Sequence, residues 1–214
     1  PAQEQVPERG VFITFEGGEG SGKTTALKRV NQMLLDKGYQ TILTREPGGT
    51  PISEQIREVI LNKANTDMDP RTEALLYAAS RRQHLVQKIW PALKEGKIVL
   101  CDRFLDSSLA YQGVARGLGV EEILRINEYA TEGQYPDLTF FFDLDPEQGL
   151  QRIASNSGRE VNRLDLEKLS FHQSVRKAFL DLARKFKDRY VVIDASKSKE
   201  EVANAVFAAI QKKL

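Results

Sequence analysis

Short apolar runs alternate with amphipathic stretches along the chain. The runs are rich in β-branched and aromatic residues and predict five strands, at residues 11–15, 41–44, 98–101, 138–144 and 191–193. After the first run, Leu27, Val30 and Leu34 recur at helical spacing, and Gly38 ends the pattern. Apolar strands separated by helices are typical of a parallel sheet covered on both faces. The pattern therefore predicts an α/β fold with three layers, in which a five-stranded parallel sheet lies between two layers of helices.

The other amphipathic stretches predict the remaining helices. One begins near Ser53, one covers residues 72–93, and further helices fill roughly residues 105–130. Another carries the stripe Val175, Phe179, Leu182 and Phe186, and the last follows residues 191–193. We expect residues 1–214 to form a single domain, because no repeat, low-complexity block or Pro/Gly linker divides them. Within it, the polar residues 1–10 are expected to be a loose tail.

The charges nearly cancel, since 31 Lys and Arg face 30 Asp and Glu and leave a net charge of +1. A chain without a strong overall charge has no general attraction for nucleic acid or for an anionic membrane. No apolar run is long enough to span a bilayer, and residues 1–10 lack the apolar core of a secretory signal. Cys101 is the single cysteine, which excludes an intramolecular disulfide. We therefore expect a cytoplasmic protein that binds neither nucleic acid nor membrane.

The first predicted strand runs into a glycine-rich loop. Residues 15–25 read FEGGEGSGKTT, so Gly17, Gly22, Lys23 and Thr24 satisfy the G-x-x-x-x-G-K-[ST] pattern of a P-loop. The backbone N–H groups of such a loop face the phosphates of a nucleoside triphosphate, where Lys23 adds a charge and Thr24 offers a hydroxyl to Mg²⁺. The loop indicates that the predicted three-layer α/β fold is of the P-loop NTPase type. The predicted triphosphate site comprises Gly17, Gly18, Glu19, Gly20, Ser21, Gly22, Lys23, Thr24 and Thr25.

The P-loop leaves several reactions open, because GTPases, motors and small-molecule kinases share it. A GTPase would need an N-K-x-D string to read guanine, and the nearest string, NKAN at residues 62–65, lacks the aspartate. A kinase needs further cations around the moving phosphoryl group. The variable P-loop positions carry no Arg or Lys, so this charge must come from elsewhere in the fold.

An irregular polar segment, SNSGREVNR at residues 155–163, carries two arginines that could supply this charge. A segment that closes over the triphosphate would exclude water and favour the acceptor over hydrolysis. We therefore expect residues 155–165 to act as a lid, with Arg159 and Arg163 as catalytic residues. A plain surface loop is the alternative.

The third predicted strand ends in Asp102 and Arg103, at the edge of the sheet where open α/β folds bind ligands. Asp102 could orient a hydrated metal ion, and Arg103 could clamp a phosphate. An ordinary surface pair is the alternative, and FFFD at residues 140–143 competes with Asp102 by pattern.

The chain resembles the thymidylate kinase family in five strings, which extend over about three quarters of its length. These strings are FEGGEGSGKTT, TREPGGT at residues 44–50, RTEALLYAASRRQHL at 71–85, DRFLDSSLAYQG at 102–113 and NRLD at 162–165. The resemblance implies transfer of the γ-phosphoryl group of ATP to dTMP with Mg²⁺, by a homodimer built through helices. It also implies the bacterial kind of member, whose basic residues lie in the lid.

The resemblance further implies an acceptor site. Tyr77 would stack on thymine, Arg81 would donate to the base O4, and Gln112 with Ser108 would complete the base edge. Tyr111 would pack under the deoxyribose. Spacing supports the grouping, because Tyr77 and Arg81 are four residues apart, as are Ser108 and Gln112. From spacing alone, Tyr77 would be a core aromatic.

The same resemblance implies a phosphate end for the acceptor. Arg57 and Arg103 would hold the dTMP phosphate, and Glu46 would lie near both acceptor and metal. The implied metal site consists of Thr24, Asp102 and Glu46. Two alternatives remain: another mononucleotide or nucleoside kinase of the same fold, and a nucleotide-binding switch without an acceptor.

Overall fold

The computed structural model describes residues 9–155 and 161–214. Its strands are β1 (Phe12–Gly17), β2 (Thr41–Arg45), β3 (Ile98–Asp102), β4 (Leu138–Asp143) and β5 (Tyr190–Asp194). They form one parallel sheet in the order β2-β3-β1-β4-β5. The predicted five-stranded parallel sheet is therefore confirmed, and its strands share one carboxyl edge.

The helices of the described residues cover both faces of this sheet. They are α1 (Lys23–Asp36), α2 (Pro51–Leu61), α3 (Pro70–His84), α4 (Trp90–Lys94), α5 (Leu105–Ser108), α6 (Val120–Thr131), α7 (Pro146–Ala154), α8 (Leu169–Lys185) and α9 (Lys199–Gln211). Three of them begin with proline after a residue whose side chain accepts from the first turn, namely Thr50, Asp69 and Asp145. No helix among the described residues is both long and apolar enough to cross a bilayer.

Successive strand residues face opposite helix layers, as the period of two requires. Phe12 and Phe141 pack in the core with α3 and α8, whereas Ile13 and Phe140 pack in a second core with α1 and α9. The two cores hold the sheet from both sides. The loops at the carboxyl edge of the strands can therefore vary without loss of the scaffold.

The structure refines three predictions about the chain path. The helices predicted over residues 105–130 are α5, a π-helical segment (Leu109–Ala115) and α6, and the chain breaks between the last two at Gly117 and Gly119, with positive φ angles of 77° and 92°. The helix predicted over residues 72–93 continues to Lys94, with a π-helical segment (Leu85–Ile89) inside it. Gly10, predicted to lie in a loose tail, is buried and its N–H donates to the Leu93 carbonyl at 2.8 Å.

Candidate active site

The P-loop connects β1 to α1 through two residues that need glycine. Gly20 and Gly22 have φ angles of 74° and 79°, in the left-handed region. A Cβ on Gly20 would overlap the carbonyl oxygen of Gly149 on α7, and a Cβ on Gly149 would overlap the carbonyl oxygen of Glu19. The loop is therefore packed backbone to backbone against α7. No pattern in the sequence identifies Gly149, because only the fold brings it to the loop.

Asp102 is the last residue of β3, and its side chain contacts the first turn of α1. Its Oδ1 is 2.6 Å from Lys23 Nζ, and its Oδ2 accepts a hydrogen bond of 3.1 Å from Thr24 Oγ1. Burial alone would raise the pKa of Asp102, but the charges of Lys23 and Arg103 outweigh it and hold that pKa below its usual value. Asp102 therefore stays ionised between these cations. The competing Asp143 instead accepts from Arg176 at 2.8 Å.

Arg103 is fixed beside the P-loop. Its Nη2 lies 3.0 Å from Glu19, and its Nη1 lies 3.3 Å from both the Ser107 and the Tyr111 hydroxyls. Its backbone has a φ angle of 70°, which is uncommon for a residue other than glycine. The turn after β3 thus directs the guanidinium toward the P-loop.

Glu16, which the sequence analysis missed, stabilises the turn after β3. Its carboxylate is fully buried and accepts from the backbone N–H groups of Phe104 and Ser107, both at 3.1 Å, and from the Ser107 hydroxyl at 2.6 Å. Burial, with a smaller contribution from the Asp106 charge, raises the pKa of Glu16 to about 7. A carboxylate inside the otherwise apolar first strand is the signal that could have identified it.

Glu16 should make the free energy of unfolding fall between the ordinary pKa of 4.5 and about 7. Because its folded pKa is raised, the folded state retains a proton that the unfolded state releases, so this stability is lost as the pH rises. Glu16→Gln does not titrate, so its stability relative to the parent should increase with pH across this window. Denaturant unfolding at several pH values measures this trend. The exposed Glu128→Gln is the control, and a pH-independent difference for Glu16→Gln would contradict the assignment.

Two clefts meet at Lys23. The P-loop cleft has a volume of about 610 Å³ and is lined by residues 18–26 and by Arg103, Arg152, Ile153, Ala195, Lys197, Lys199 and Val202. The inner cleft has a volume of about 280 Å³ and lies between α2, α3 and the β3 turn. Both clefts are lined by Glu19, Lys23, Thr24 and Arg103. Two ligands bound in these clefts would therefore both lie next to the cations Lys23 and Arg103.

The deep end of the inner cleft holds three of the residues predicted to bind the base. Tyr77 and Gln112 line it, and Gln112 Oε1 has no hydrogen-bond partner among the described residues although it is buried. Arg81 also lines it, with four of its five N–H groups donating to Glu46, Ser108, Asn127 and Phe104. One N–H group of Arg81 is thus left for a ligand. Burial raises the pKa of Tyr77 to about 12, so its ring stays neutral.

Arginines surround the other end of the inner cleft. Arg57 and Arg103 line it as predicted, and Arg57 Nη1 donates to the Pro47 carbonyl at 3.0 Å. Arg45, which the sequence analysis missed, lines it as well and donates to the same carbonyl at 3.1 Å. Tyr111 lines the cleft between the two ends, where its hydroxyl accepts from Arg103. The inner cleft therefore pairs a polar, aromatic end with a cationic end.

Two residues predicted for direct contact have other positions. Ser108 does not line the inner cleft and instead accepts a hydrogen bond of 3.0 Å from Arg81. Glu46 lines the cleft, but Arg81 lies 2.7 Å from its Oε1 and His84 lies 2.8 Å from its Oε2. Both oxygens are engaged, so Glu46 fixes Arg81 rather than offering a free oxygen to a metal ion. These long-range partners cannot be read from local sequence.

Of the two predicted lid arginines, the structure describes Arg163, which is packed against α2 and α3 rather than beside the P-loop. Arg163 is 6% exposed, donates to the Ile60 carbonyl at 2.8 Å and pairs with Glu73. A catalytic contact would require it to leave both partners. Arg159 lies outside the described residues, so its role stays a prediction.

Two clefts that share Lys23 and Arg103, one of them built on a P-loop, define the phosphotransferase class of nucleotide kinases. The thymidylate kinase family model matches residues 15–206, and the chain belongs to this family. A thymidylate kinase of Geobacillus sp. (strain WCH70) is 58% identical over 202 residues, 94% of this chain and 96% of that protein. One of Clostridium novyi (strain NT) is 57% identical over 198 residues, 92% and 97% of the two chains. The crystal structure of thymidylate kinase from Ehrlichia chaffeensis has a TM-score of 0.76 and 34% identity, covering 95% of this chain and 99% of that one.

Proposed function

We propose that ATP occupies the P-loop cleft and dTMP the inner cleft, so that the γ-phosphoryl group passes between them. The kinase activity itself, phosphorylation of dTMP to dTDP in dTTP synthesis, follows from the family. The observation that carries the proposal is the shared boundary of the clefts at Lys23 and Arg103. A phosphate oxygen of dTMP attacks the γ-phosphorus, the bond to the bridging oxygen breaks, and ADP leaves with that electron pair. A nucleotide switch would have no use for the inner cleft.

The protein contributes position and charge to this transfer. Lys23 is the first residue of α1, directly after the P-loop, and the backbone N–H groups at this helix N-terminus favour an anion. Arg103 faces the same boundary and is held by three side chains, so little reorganisation is needed when charge shifts toward the leaving ADP. The basic side chains Arg152, Lys197 and Lys199 add charge to the P-loop cleft.

The donor atoms beside Lys23 fit Mg²⁺. Thr24 Oγ1 and the Asp102 carboxylate are oxygen ligands 3.1 Å apart, of the kind that Mg²⁺ takes together with water and phosphates. We propose that Thr24 and Asp102 hold the hydrated ion, and that Glu46 does not ligate it. When bound, Mg²⁺ neutralises charge on the phosphates of ATP.

The deep end of the inner cleft suits thymine. Its O4 would accept from the remaining N–H group of Arg81, and its N3–H would donate to the unpartnered Gln112 Oε1. Tyr77 offers a neutral ring to the base, and the arginines at the other end would bind the phosphate. Cytosine has an amino donor in place of the O4 acceptor of thymine and an N3 acceptor in place of its N3–H donor, so it fits neither contact.

We therefore expect kcat/KM to fall in the order dTMP, dUMP, dCMP. Each buried polar group left unpaired costs about 1–3 kcal/mol, so dCMP should be poorer than dTMP by roughly two to four powers of ten. Uracil lacks only the methyl group, so dUMP should be accepted weakly. An ADP-release assay across the common mononucleotides measures the order. If dGMP or dCMP were turned over faster than dTMP, the proposed base contacts would be wrong.

We also propose a homodimer. Exposed apolar side chains gather on the adjoining helices α2, α3 and α6, including Val59 at 46%, Leu75 at 57% and Tyr129 at 91% exposure. An apolar surface spread over packed helices favours a second copy of the chain as its partner. We further propose that the chain forms one domain, in which residues 155–165 are the lid. We also propose a cytoplasmic location, which suits the buried thiol of Cys101.

Leu75→Glu should shift the protein to a monomer, because it places a charge inside the proposed apolar interface. Sedimentation or light scattering at several concentrations measures the change in mass. Val192→Glu, which lies on the edge strand β5 and is 49% exposed, is the control and should leave the mass unchanged. A parent protein that is already monomeric would contradict the proposal.

A further inference from the structure

Glu73 is a buried carboxylate beside the inner cleft that the reaction described above does not use. It lies one helical turn before Tyr77 on the same face of α3 and is 1% exposed. Its Oε1 is 3.2 Å from Arg116 Nε and 3.5 Å from Gln112 Nε2, and its Oε2 pairs with Arg163. Every atom that faces this carboxylate in these contacts is a donor.

The carboxylate fixes which way the Gln112 amide points. An ionised carboxylate can only accept, so the amide nitrogen of Gln112 faces Glu73 and its oxygen faces the inner cleft. The opposite orientation would bring two oxygens together in a buried place where charge repulsion is strong. That opposite orientation would present an N–H donor to the cleft in place of an acceptor.

We propose that Glu73 is a positioning residue that determines base specificity by orienting Gln112, an inference that rests on the proposed binding of dTMP in the inner cleft. With Gln112 Oε1 held toward the cleft, the N3–H of thymine finds an acceptor, whereas the N3 of cytosine meets another acceptor. Glu73 thereby acts on the choice of base without touching it.

Two guanidinium groups make this arrangement possible. Arg116 and Arg163 offset the charge of Glu73, and they are themselves held, Arg116 by Glu167 at 2.6 Å and Arg163 by the Ile60 carbonyl at 2.8 Å. A buried carboxylate without such partners would favour its protonated form, which could donate to Gln112 Oε1 and turn the amide. The arginines therefore keep Glu73 an acceptor.

The test compares kcat/KM for dTMP and dCMP in Glu73→Gln. This variant keeps the shape but can donate to Gln112, so the amide can turn and meet the N3 of cytosine. The ratio of the two kcat/KM values should fall by about 10- to 100-fold, the effect of removing one of two polar mismatches. Arg81 still opposes cytosine, so dTMP should remain the better substrate.

Two further variants separate orientation from general loosening. Arg116→Lys disturbs the same cluster but keeps the positive charge that holds Glu73 ionised, so it should lower turnover of both substrates and leave their ratio unchanged. Gln112→Met has no amide to orient, so adding Glu73→Gln to it should not change the ratio further. If Glu73→Gln does not fold, Glu73→Gln with Arg116→Gln removes one charge of each sign and should show the same fall in ratio.

An unchanged ratio in Glu73→Gln, or an equal fall in Arg116→Lys, would overturn the proposal. A further fall when Glu73→Gln is added to Gln112→Met would do so as well, because Glu73 would then act by another route. Failure of the proposed function has a different signature, since the parent protein itself would then show no preference for dTMP.

Discussion

Lys23→Ala is expected to lower turnover by about three powers of ten or more while dTMP binds with nearly its original affinity. Removal of a single group that stabilises developing charge costs roughly 10²–10³ in kcat, and Lys23 also neutralises Asp102 at 2.6 Å. The base and phosphate of dTMP are held by other helices, so the inner cleft should keep most of its contacts. Turnover by ADP release and dTMP affinity by calorimetry measure the two effects.

The control for this variant is Lys28→Ala, which removes an exposed lysine of the same helix. It should leave turnover and both affinities close to those of the parent. The assignment of two separate clefts would be wrong if Lys23→Ala lost dTMP affinity as severely as it lost turnover.

The P-loop could be predicted from sequence because its geometry is local. Glycines, a lysine and a threonine at fixed spacing determine where the backbone N–H groups point, and the structure places Gly22, Lys23 and Thr24 accordingly. The sheet was predictable for a related reason, since each strand is an apolar run bounded by polar residues. Helices were predicted over residues 105–130, but the position of the break between them was not, although the glycines at residues 117 and 119 were visible in the sequence.

The inner cleft was less predictable, because its side chains are fixed by partners far away in the chain. Arg81 shows this best: its partners Glu46 and Asn127 are 35 and 46 residues away. The same is true of Arg163, whose partner Glu73 is 90 residues away. Residue type suggested Arg163 for the phosphates, and the family resemblance suggested Arg81 for the base. Only the fold decides how many of their N–H groups remain for a ligand.

Arg103→Ala should also reduce turnover by about three powers of ten, the low end for an arginine that stabilises a transferred phosphoryl group. Arg103 lines both clefts, so it can contact the acceptor phosphate and the moving group. Alanine keeps the Cβ, so it meets the same steric strain as arginine at a φ angle of 70°. The comparison therefore reports the effect of removing the guanidinium group. Steady-state turnover and dTMP calorimetry measure the loss.

Arg103→Lys is the matched variant, because it keeps the positive charge and loses the planar fork. Three side chains hold that fork, with Glu19 at 3.0 Å and the Ser107 and Tyr111 hydroxyls at 3.3 Å. A lysine ammonium cannot reproduce these contacts and face a phosphate at once, so only part of the activity should return. Tyr111→Phe removes one of the three contacts and should cost much less than Arg103→Ala. Full activity in Arg103→Lys would show that a point charge is sufficient, and full activity in Arg103→Ala would remove Arg103 from the transfer step.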